Sequence, residues 1–234
     1  MRNILAVLFF ALIGSASSAQ LFSKERLANL ETFDARTFTF GYYLGINNYD
    51  FKFIYENETG NADIFTERQT GFNVGLVGDM RLNEFMNLRL EPGLVFNKRV
   101  LTFPGDFEFP EMAVREVPST YVYVPLLLKV STKRLNNFKP FVVGGFSYAY
   151  NLSSNQDNPD DNLAGEFRMK TNTVYYELGL GIDLYLYYFK FTPSIRGVFS
   201  LSDELVPDED PNSIYTSNID QMLSRGVFIN FTFQ

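Results

Sequence analysis

The sequence predicts an all-β chain, an eight-stranded antiparallel transmembrane β-barrel of the outer-membrane kind, on three observations. Eight stretches alternate apolar and polar residues with the two-residue period of a strand, so each has one apolar and one polar face. The connections between them run long, short, long, short, long, short, long, as eight antiparallel staves require when both chain ends lie on one side. Aromatic residues make up 17% of the chain, with 25 Phe, 14 Tyr and no Trp, a surplus expected where girdles mark two membrane interfaces.

Met1 to Ala19 reads as a secretory signal. Arg2 supplies the positive charge, Ile4 to Ile13 the short apolar run, and Ser17 and Ala19 the small residues before a cleavage site between Ala19 and Gln20. A membrane anchor would need a longer span. Residues 20–36, containing KERLANLETFDAR, are polar and mixed in charge, and are expected to form a periplasmic lead-in rather than a structured plug. The barrel is expected to occupy 37–234.

The first stave is Thr37 to Tyr55, with Phe38, Phe40, Tyr42, Leu44 and Ile46 on its apolar face. After Asn47-Asn48 the apolar set moves to Tyr49, Phe51, Phe53 and Tyr55, a slip of one residue that predicts a bulge. A polar loop, Glu56 to Gln69, leads to Thr70 to Leu82, in which Phe72, Val74, Leu76 and Met80 face out and Gly71, Asn73, Gly75, Asp79 and Arg81 face in. A short turn at Asn83-Glu84 precedes Asn87 to Phe103. Pro104 to Pro118 is the second long loop, and Ser119 to Thr132 the fourth stave, with Val122, Val124, Leu126, Leu128 and Val130 outward. Asn136-Asn137 turns the chain into Lys139 to Leu152. Ser153 to Phe167 is the third long loop, Thr171 to Leu186 and Phe189 to Leu201 form the tightest hairpin, and Ser202 to Ser224 is the fourth.

The last residues, Gly226 to Gln234, put Val227, Ile229, Phe231 and Phe233 on one face and Asn230, Thr232 and Gln234 on the other, with Phe228 the exception. A free edge this aromatic invites aggregation, so the strand must pair. It resembles the C-terminal assembly signal of bacterial outer-membrane barrels, with Phe231 and Phe233 as its signal residues. That resemblance implies closure against the first stave, recognition by the barrel assembly machinery, and both termini in the periplasm.

A soluble sandwich or lipocalin-like barrel would bury the apolar faces instead, and alternation by itself does not separate the two. The signal sequence, girdle aromatics and loop asymmetry select the membrane barrel. Its polar faces then fill a lumen too narrow for an open channel, and the charges must neutralise one another. A hairpin centred between Leu186 and Tyr187 would set Asp183 opposite Lys190 and Glu177 opposite Arg196. Glu91 could meet Lys129, and Asp79 could meet Arg89. A structural network is the expected role, a proton or ion relay the sharper alternative. Pro92, Pro125 and Pro193 fall within staves, where each removes a ladder donor and predicts a bulge or weakened pairing.

Histidine and cysteine are absent, which removes the commonest general base, the commonest metal ligand and any disulfide. No catalytic constellation, nucleotide motif or cofactor site is expected. The net charge of -7 argues against a nucleic-acid partner.

VPLLLK at Val124 to Lys129, KPFVVGG at Lys139 to Gly145 and EPGLVF at Glu91 to Phe96 resemble the middle of the outer-membrane β-barrel domain common in Bacteroidetes-type bacteria. Phe33-Asp34, then FGYYLGINNYDFKF from Phe40 to Phe53, and the SRGVFINFTF ending resemble the PorT (SprT) family of the type IX secretion system. That resemblance implies an accessory protein of the outer membrane needed for cargo export and, in some bacteria, gliding motility, and it supplies no catalytic residues. The expected role is a non-enzymatic scaffold or assembly factor touching outer-membrane lipid and other type IX envelope components. The alternative is a stand-alone surface barrel of the OmpA/OmpX kind, serving envelope integrity, adhesion or small-ligand binding.

Overall fold

In a computed structural model of the chain, which describes residues 28–56, 63–105, 107, 109–158, 167–208, 210 and 213–234, the alternating segments form one antiparallel sheet that closes on itself. The signal sequence and its cleavage site at Ala19 and Gln20 lie outside the described residues. The strands are β1 (Phe38–Tyr55), β2 (Phe65–Arg68), β3 (Thr70–Arg81), β4 (Met86–Leu90), β5 (Gly93–Thr102), β6 (Val114–Ser131), β7 (Phe138–Asn151), β8 (Asn172–Tyr185), β9 (Lys190–Ser200) and β10 (Ile219–Phe233). β2 runs on into β3 and β4 into β5, so the ten segments make eight staves. β1 pairs with β3 on one side and with β10 on the other, in continuous register from Tyr42↔Phe233 to Ile54↔Gln221. Closure leaves no edge, which is how a sheet satisfies its backbone groups in hydrocarbon.

The connections alternate as the sequence predicts. Short links follow Arg81, Ser131 and Tyr185, and long ones follow Tyr55, Thr102, Asn151 and Ser200. Gln234 binds across to Lys190 and Thr39, so the C-terminal strand ends beside the start of β1, at the end that carries the short turns. This is called the turn end below, and the opposite one the loop end.

The outward face is apolar around the barrel. Phe40 is 74% exposed and Leu178 68%, and Leu44, Ile46, Leu126, Val142 and Leu180 are exposed with them. A continuous apolar belt of this kind has no place in water, whereas lipid tails cover it at no cost. At the turn end, Tyr187 and Tyr188 project outward at the hairpin tip, and Tyr42 stacks on Phe233 at 5.3 Å. Polar-in, apolar-out packing is the reverse of a lipocalin-like fold.

Several local expectations are corrected. No bulge follows Asn47-Asn48: the pairing of β1 with β10 and with β3 runs through both residues unshifted. The alternation never slips. Tyr49 and Phe51 are apolar residues that face inward, because the lumen near the loop end is itself apolar, and the irregularity in β1 comes at Ile54/Tyr55. The second long loop is shorter than expected, since β6 starts at Val114 and pairs with β5 through Pro118. The fourth is shorter too, with β10 starting at Ile219, and the first contains β2, paired with β5.

The prolines produce no register shift. Pro125 and Pro193 sit within running registers opposite Ser147 and Phe231. Pro92 occupies the gap between β4 and β5 and still accepts the Leu76 N–H at 2.9 Å through its carbonyl. The β8–β9 ladder skips its rungs between Gly181↔Ser194 and Leu184↔Phe191, beside Pro193, so pairing is weakened there without displacement.

Closure is testable because the chain has no cysteine of its own. Leu44→Cys combined with Phe231→Cys, directly opposed across β1 and β10 at a distance a disulfide spans, is expected to cross-link under mild oxidation of the membrane-inserted protein. Leu44→Cys with Asn230→Cys, whose side chains lie on opposite faces, is expected not to. Failure of the first pair would break the proposed ring.

Candidate functional site

The inward side chains stack in layers along the barrel axis. At the turn end the described part of the lead-in, residues 28–36, crosses the mouth as a strap. The Asn29 N–H donates to Asn137 Oδ1 at 2.8 Å and the Asn29 side chain to the Tyr185 carbonyl at 3.0 Å. Arg134 donates to the carbonyls of Leu30 (3.2 Å) and Asn29 and lies 3.7 Å over the Tyr185 ring. The Tyr185 hydroxyl donates to Asp34 at 2.6 Å. Phe33, at the start of a single 3-10 turn, is buried edge-on to Tyr185, with the Lys190 ammonium 4.6 Å from its ring centre. Behind the strap lies a cavity of about 240 Å³ that reaches Lys129, Lys139, Asp183 and Lys190.

Above the cavity come the ion pairs. Arg89 holds Asp79 at 2.6 Å, and Lys129 holds Asp183 at 2.6 Å while Thr192 donates to the same carboxylate at 2.7 Å. One level further, Arg196 bridges Glu91 at 2.8 Å and Glu177 at 3.2 Å, and Arg89 reaches Glu91 at 3.3 Å. The Tyr123 hydroxyl donates to Glu177 at 2.8 Å and meets the Ser147 hydroxyl. All seven charged side chains are buried. Tyr43 enters this layer over Gly75 and Gly93, where a Cβ would stand 2.6 Å and 2.3 Å from its ring and hydroxyl, so the two glycines make the slot that the ring fills.

Midway, Asn47, Asn73 and Asn230 hydrogen-bond in a row across β1, β3 and β10. The rings of Tyr49, Tyr121, Tyr123, Tyr175 and Phe228 close the axis, with Tyr49 and Phe228 5.4 Å apart edge to face. Arg99, fully buried, donates to Ser224, Ser119 and Tyr121 and lies 3.7 Å over the Phe51 ring. Beyond it the β9–β10 connection folds inward. Glu204 accepts from Tyr175 at 3.2 Å and from the Ser224 hydroxyl at 2.9 Å. Leu205, Met169 and Phe167 pack with Phe51, Leu101, Phe103 and Met222 to cap the loop end.

Residues 18–206 match the family model described as outer membrane protein beta-barrel domain. The chain belongs to that family. Among solved structures it is similar to the outer membrane protein OprG from Pseudomonas aeruginosa, at 14% identity over 83% of this chain and 94% of that one, with a TM-score of 0.46. It is also similar to the outer membrane protein AlkL, at 14% identity over 91% of this chain and 95% of that one, with a TM-score of 0.41. Ail, the attachment invasion locus protein of Yersinia pestis, follows at 10% identity over 83% of this chain and 96% of that one, with a TM-score of 0.38. No curated protein matches the chain.

In this outer-membrane β-barrel the eight charged residues paired in the sequence all reach the lumen, but only some meet the partners assigned to them. Asp79 and Arg89 stand directly opposite on β3 and β4. Glu177 and Arg196 meet diagonally, since Glu177 faces Val198 and Arg196 faces Gly179. Asp183 does not pair with Lys190. The hairpin is centred between Tyr187 and Tyr188, with Tyr185 opposite Lys190, a shift of two residues in pairing. A shift of two keeps every side chain on its face, so the alternation could not detect it. Glu91 does not meet Lys129 either. Lys129 faces Asn87 on β4 and reaches over β7 to Asp183, while Glu91 is claimed by Arg89 and Arg196. Phe231 and Phe233 lie on the outer face of β10, within 6.1 Å and 5.2 Å of the Phe191 ring.

The sequence reading missed Arg99 and Glu204, and named Phe33 only within a family resemblance, without its place at the barrel mouth. Arg99 follows Asn97 by two residues on an inward face and was legible by alternation. Glu204 lies in a connection, where no periodicity speaks.

Removing one member of a buried ion network strands the others, at a cost of about 3–5 kcal/mol. Arg196→Met is therefore expected to lower the urea stability of the vesicle-inserted barrel by that order, as it leaves Glu91 and Glu177 without their shared cation. Lys129→Met is expected to destabilise more than the double variant Lys129→Met, Asp183→Leu. The folded, fast-migrating gel band reports both.

Burial pushes the Glu204 carboxyl above its ordinary value, against the opposing pull of Arg99 and of the Ser224 hydrogen bonds. Its contribution to stability is complete below the ordinary value and fades as pH rises through the raised one. Wild type is expected to gain stability relative to Glu204→Gln between about pH 7 and about pH 4, and an equal difference at both would refute this.

Proposed function

We propose that this outer-membrane barrel is a non-enzymatic component of type IX protein secretion, acting as scaffold or assembly factor rather than conduit. The observation that carries the choice of scaffold is the filled lumen: among the described residues, ion pairs from Asp79 to Arg196, a layer of rings around Tyr49, and the loop-end cap on Leu205 occupy the interior in successive layers. An eight-stranded ring is in any case too narrow to pass a folded polypeptide. Contacts with envelope partners then fall to the outer surface, the strap and the loops.

The secretion reading rests on the resemblance of Phe33-Asp34, Phe40 to Phe53 and Ser224 to Phe233 to the PorT family. The two longer segments are neighbours in space, because β1 and β10 form the closing seam. Phe40, Tyr42, Phe189 and Phe233 line a shallow apolar groove on its outer side. On this reading the turn end, with both termini, faces the periplasm, and the loop end faces outward.

Deletion of the gene without disturbance of its neighbours, with a plasmid-borne copy as control, tests the role. Type IX cargo is expected to accumulate in the periplasm and to be exported again on complementation. Normal export would overturn the secretion role and leave a stand-alone surface barrel.

A further inference from the structure

The cavity behind the strap is cationic in a chain whose net charge is -7. Seven basic side chains line it against three acidic ones, Asp34, Glu84 and Asp183, and without the mutually satisfied Lys129–Asp183 pair the ratio is six to two. Two of the cations lie deep. Lys190 is 4% exposed, and among the described residues no carboxylate comes within 4.0 Å of its ammonium, whose near neighbour is the Phe33 ring. Lys139 is 8% exposed and makes one long bond, 3.4 Å, to the backbone carbonyl of Glu84. Asp183 and Asp79 act on Lys190 only from beyond contact distance; an ammonium removed from water without an anion in contact is costly, yet both lysines line the same roofed space. Arg81 flanks it from β3, its Nε bound to the Asn83 carbonyl at 3.4 Å.

We propose that this cavity is a binding site for a small multivalent oxyanion of the phosphate class, held by Lys139 and Lys190 at depth and by Arg81 at the rim. Compact ammonium groups with three donors each suit the spread oxygens of such an anion. The volume of about 240 Å³ exceeds a single phosphate group, so a phosphorylated small molecule also fits. The strap sets the access. Phe33 and Asp34 form part of the wall, and the Arg134 and Tyr185 contacts hold them there. This assignment is independent of the secretion role, since it is tested on purified protein.

The full chain, refolded in uncharged detergent, is titrated with sodium pyrophosphate against sodium chloride of equal ionic strength, with binding read by calorimetry. A second titration uses phosphatidic acid in mixed micelles, which separates a lipid-borne phosphate from a soluble one. Saturable binding is expected in the soluble arm, weakened about tenfold or more by Lys190→Met and by Lys139→Met, the loss of one charge-assisted contact. It should be unchanged by Lys98→Met, whose ammonium pairs with Glu116 at 2.7 Å on the outer surface. In the unsubstituted chain, pyrophosphate should slow acylation of Lys139 and Lys190 by an amine-reactive reagent and leave Lys98 at its free rate, a readout that needs no variant to fold. No saturable binding beyond chloride, binding in the lipid arm alone, affinity in both cavity variants equal to that of the unsubstituted chain, or equal protection of all three lysines would overturn the site.

Discussion

Everything in this molecule follows from closing a sheet of eight staves in lipid. Closure joins the last stave to the first, so that the ladders run around the ring apart from local gaps such as the one beside Pro193, and eight staves leave an interior wide enough for side chains but not for a column of water. Each inward polar group must therefore find its partner inside. The ion network obeys that constraint. Asp79, Glu91, Glu177 and Asp183 share the turn-end half of the lumen with Arg89, Lys129, Arg196, Lys139 and Lys190, four buried carboxylates against five buried cations. The first three cations each touch at least one of those carboxylates directly.

The same constraint explains why the lumen changes character along its length. A run of ion pairs needs every member, and each further pair would bring a further desolvation penalty. Past the asparagine row the interior turns to rings and aliphatic side chains, which fill volume without any such demand. Charged exceptions remain, among them Arg99, held by three hydroxyls and an aromatic face rather than by a direct carboxylate, and Glu204, which accepts from the hydroxyls of Tyr175 and Ser224. The inward Tyr49 and Phe51 belong to this change. They looked like a register slip in the sequence because the lumen, rather than the strand, had changed polarity.

How much was legible in the sequence follows from which features have a period. The number of staves, the alternation of connections, the outward faces apart from the second half of the first stave, and the inward position of each predicted charge appear in the ring, and the faces follow from a two-residue repeat. Partner assignments do not. The Asp183 and Lys190 expectation failed by a shift of two residues, which the repeat cannot register, and the Glu91 and Lys129 expectation assumed that neighbours on adjacent staves pair. In a narrow lumen a long side chain crosses it instead, as Arg196 on β9 does to reach Glu91 beside β4. Loop ends were misjudged where strands continue past the apolar belt, at Val114 and Ile219, because beyond lipid the faces no longer need to contrast.

The two mouths are closed by different means, and the difference bears on what each can do. The loop end is sealed by apolar packing of Leu205, Met169 and Phe167 on strand residues, a contact that excludes water and gains from area. The turn end is covered by a strap fastened mainly through hydrogen bonds at Asn29, Asp34 and Arg134, over a polar cavity. Polar fastenings lose little when water replaces them, whereas exposing the loop-end cluster would forfeit its full burial. Of the two ends, the turn end can therefore open at the lower cost. Opening there would expose Lys139 and Lys190 while the ion network above kept the lumen shut, so access to the cavity and passage through the barrel are separate properties of this fold.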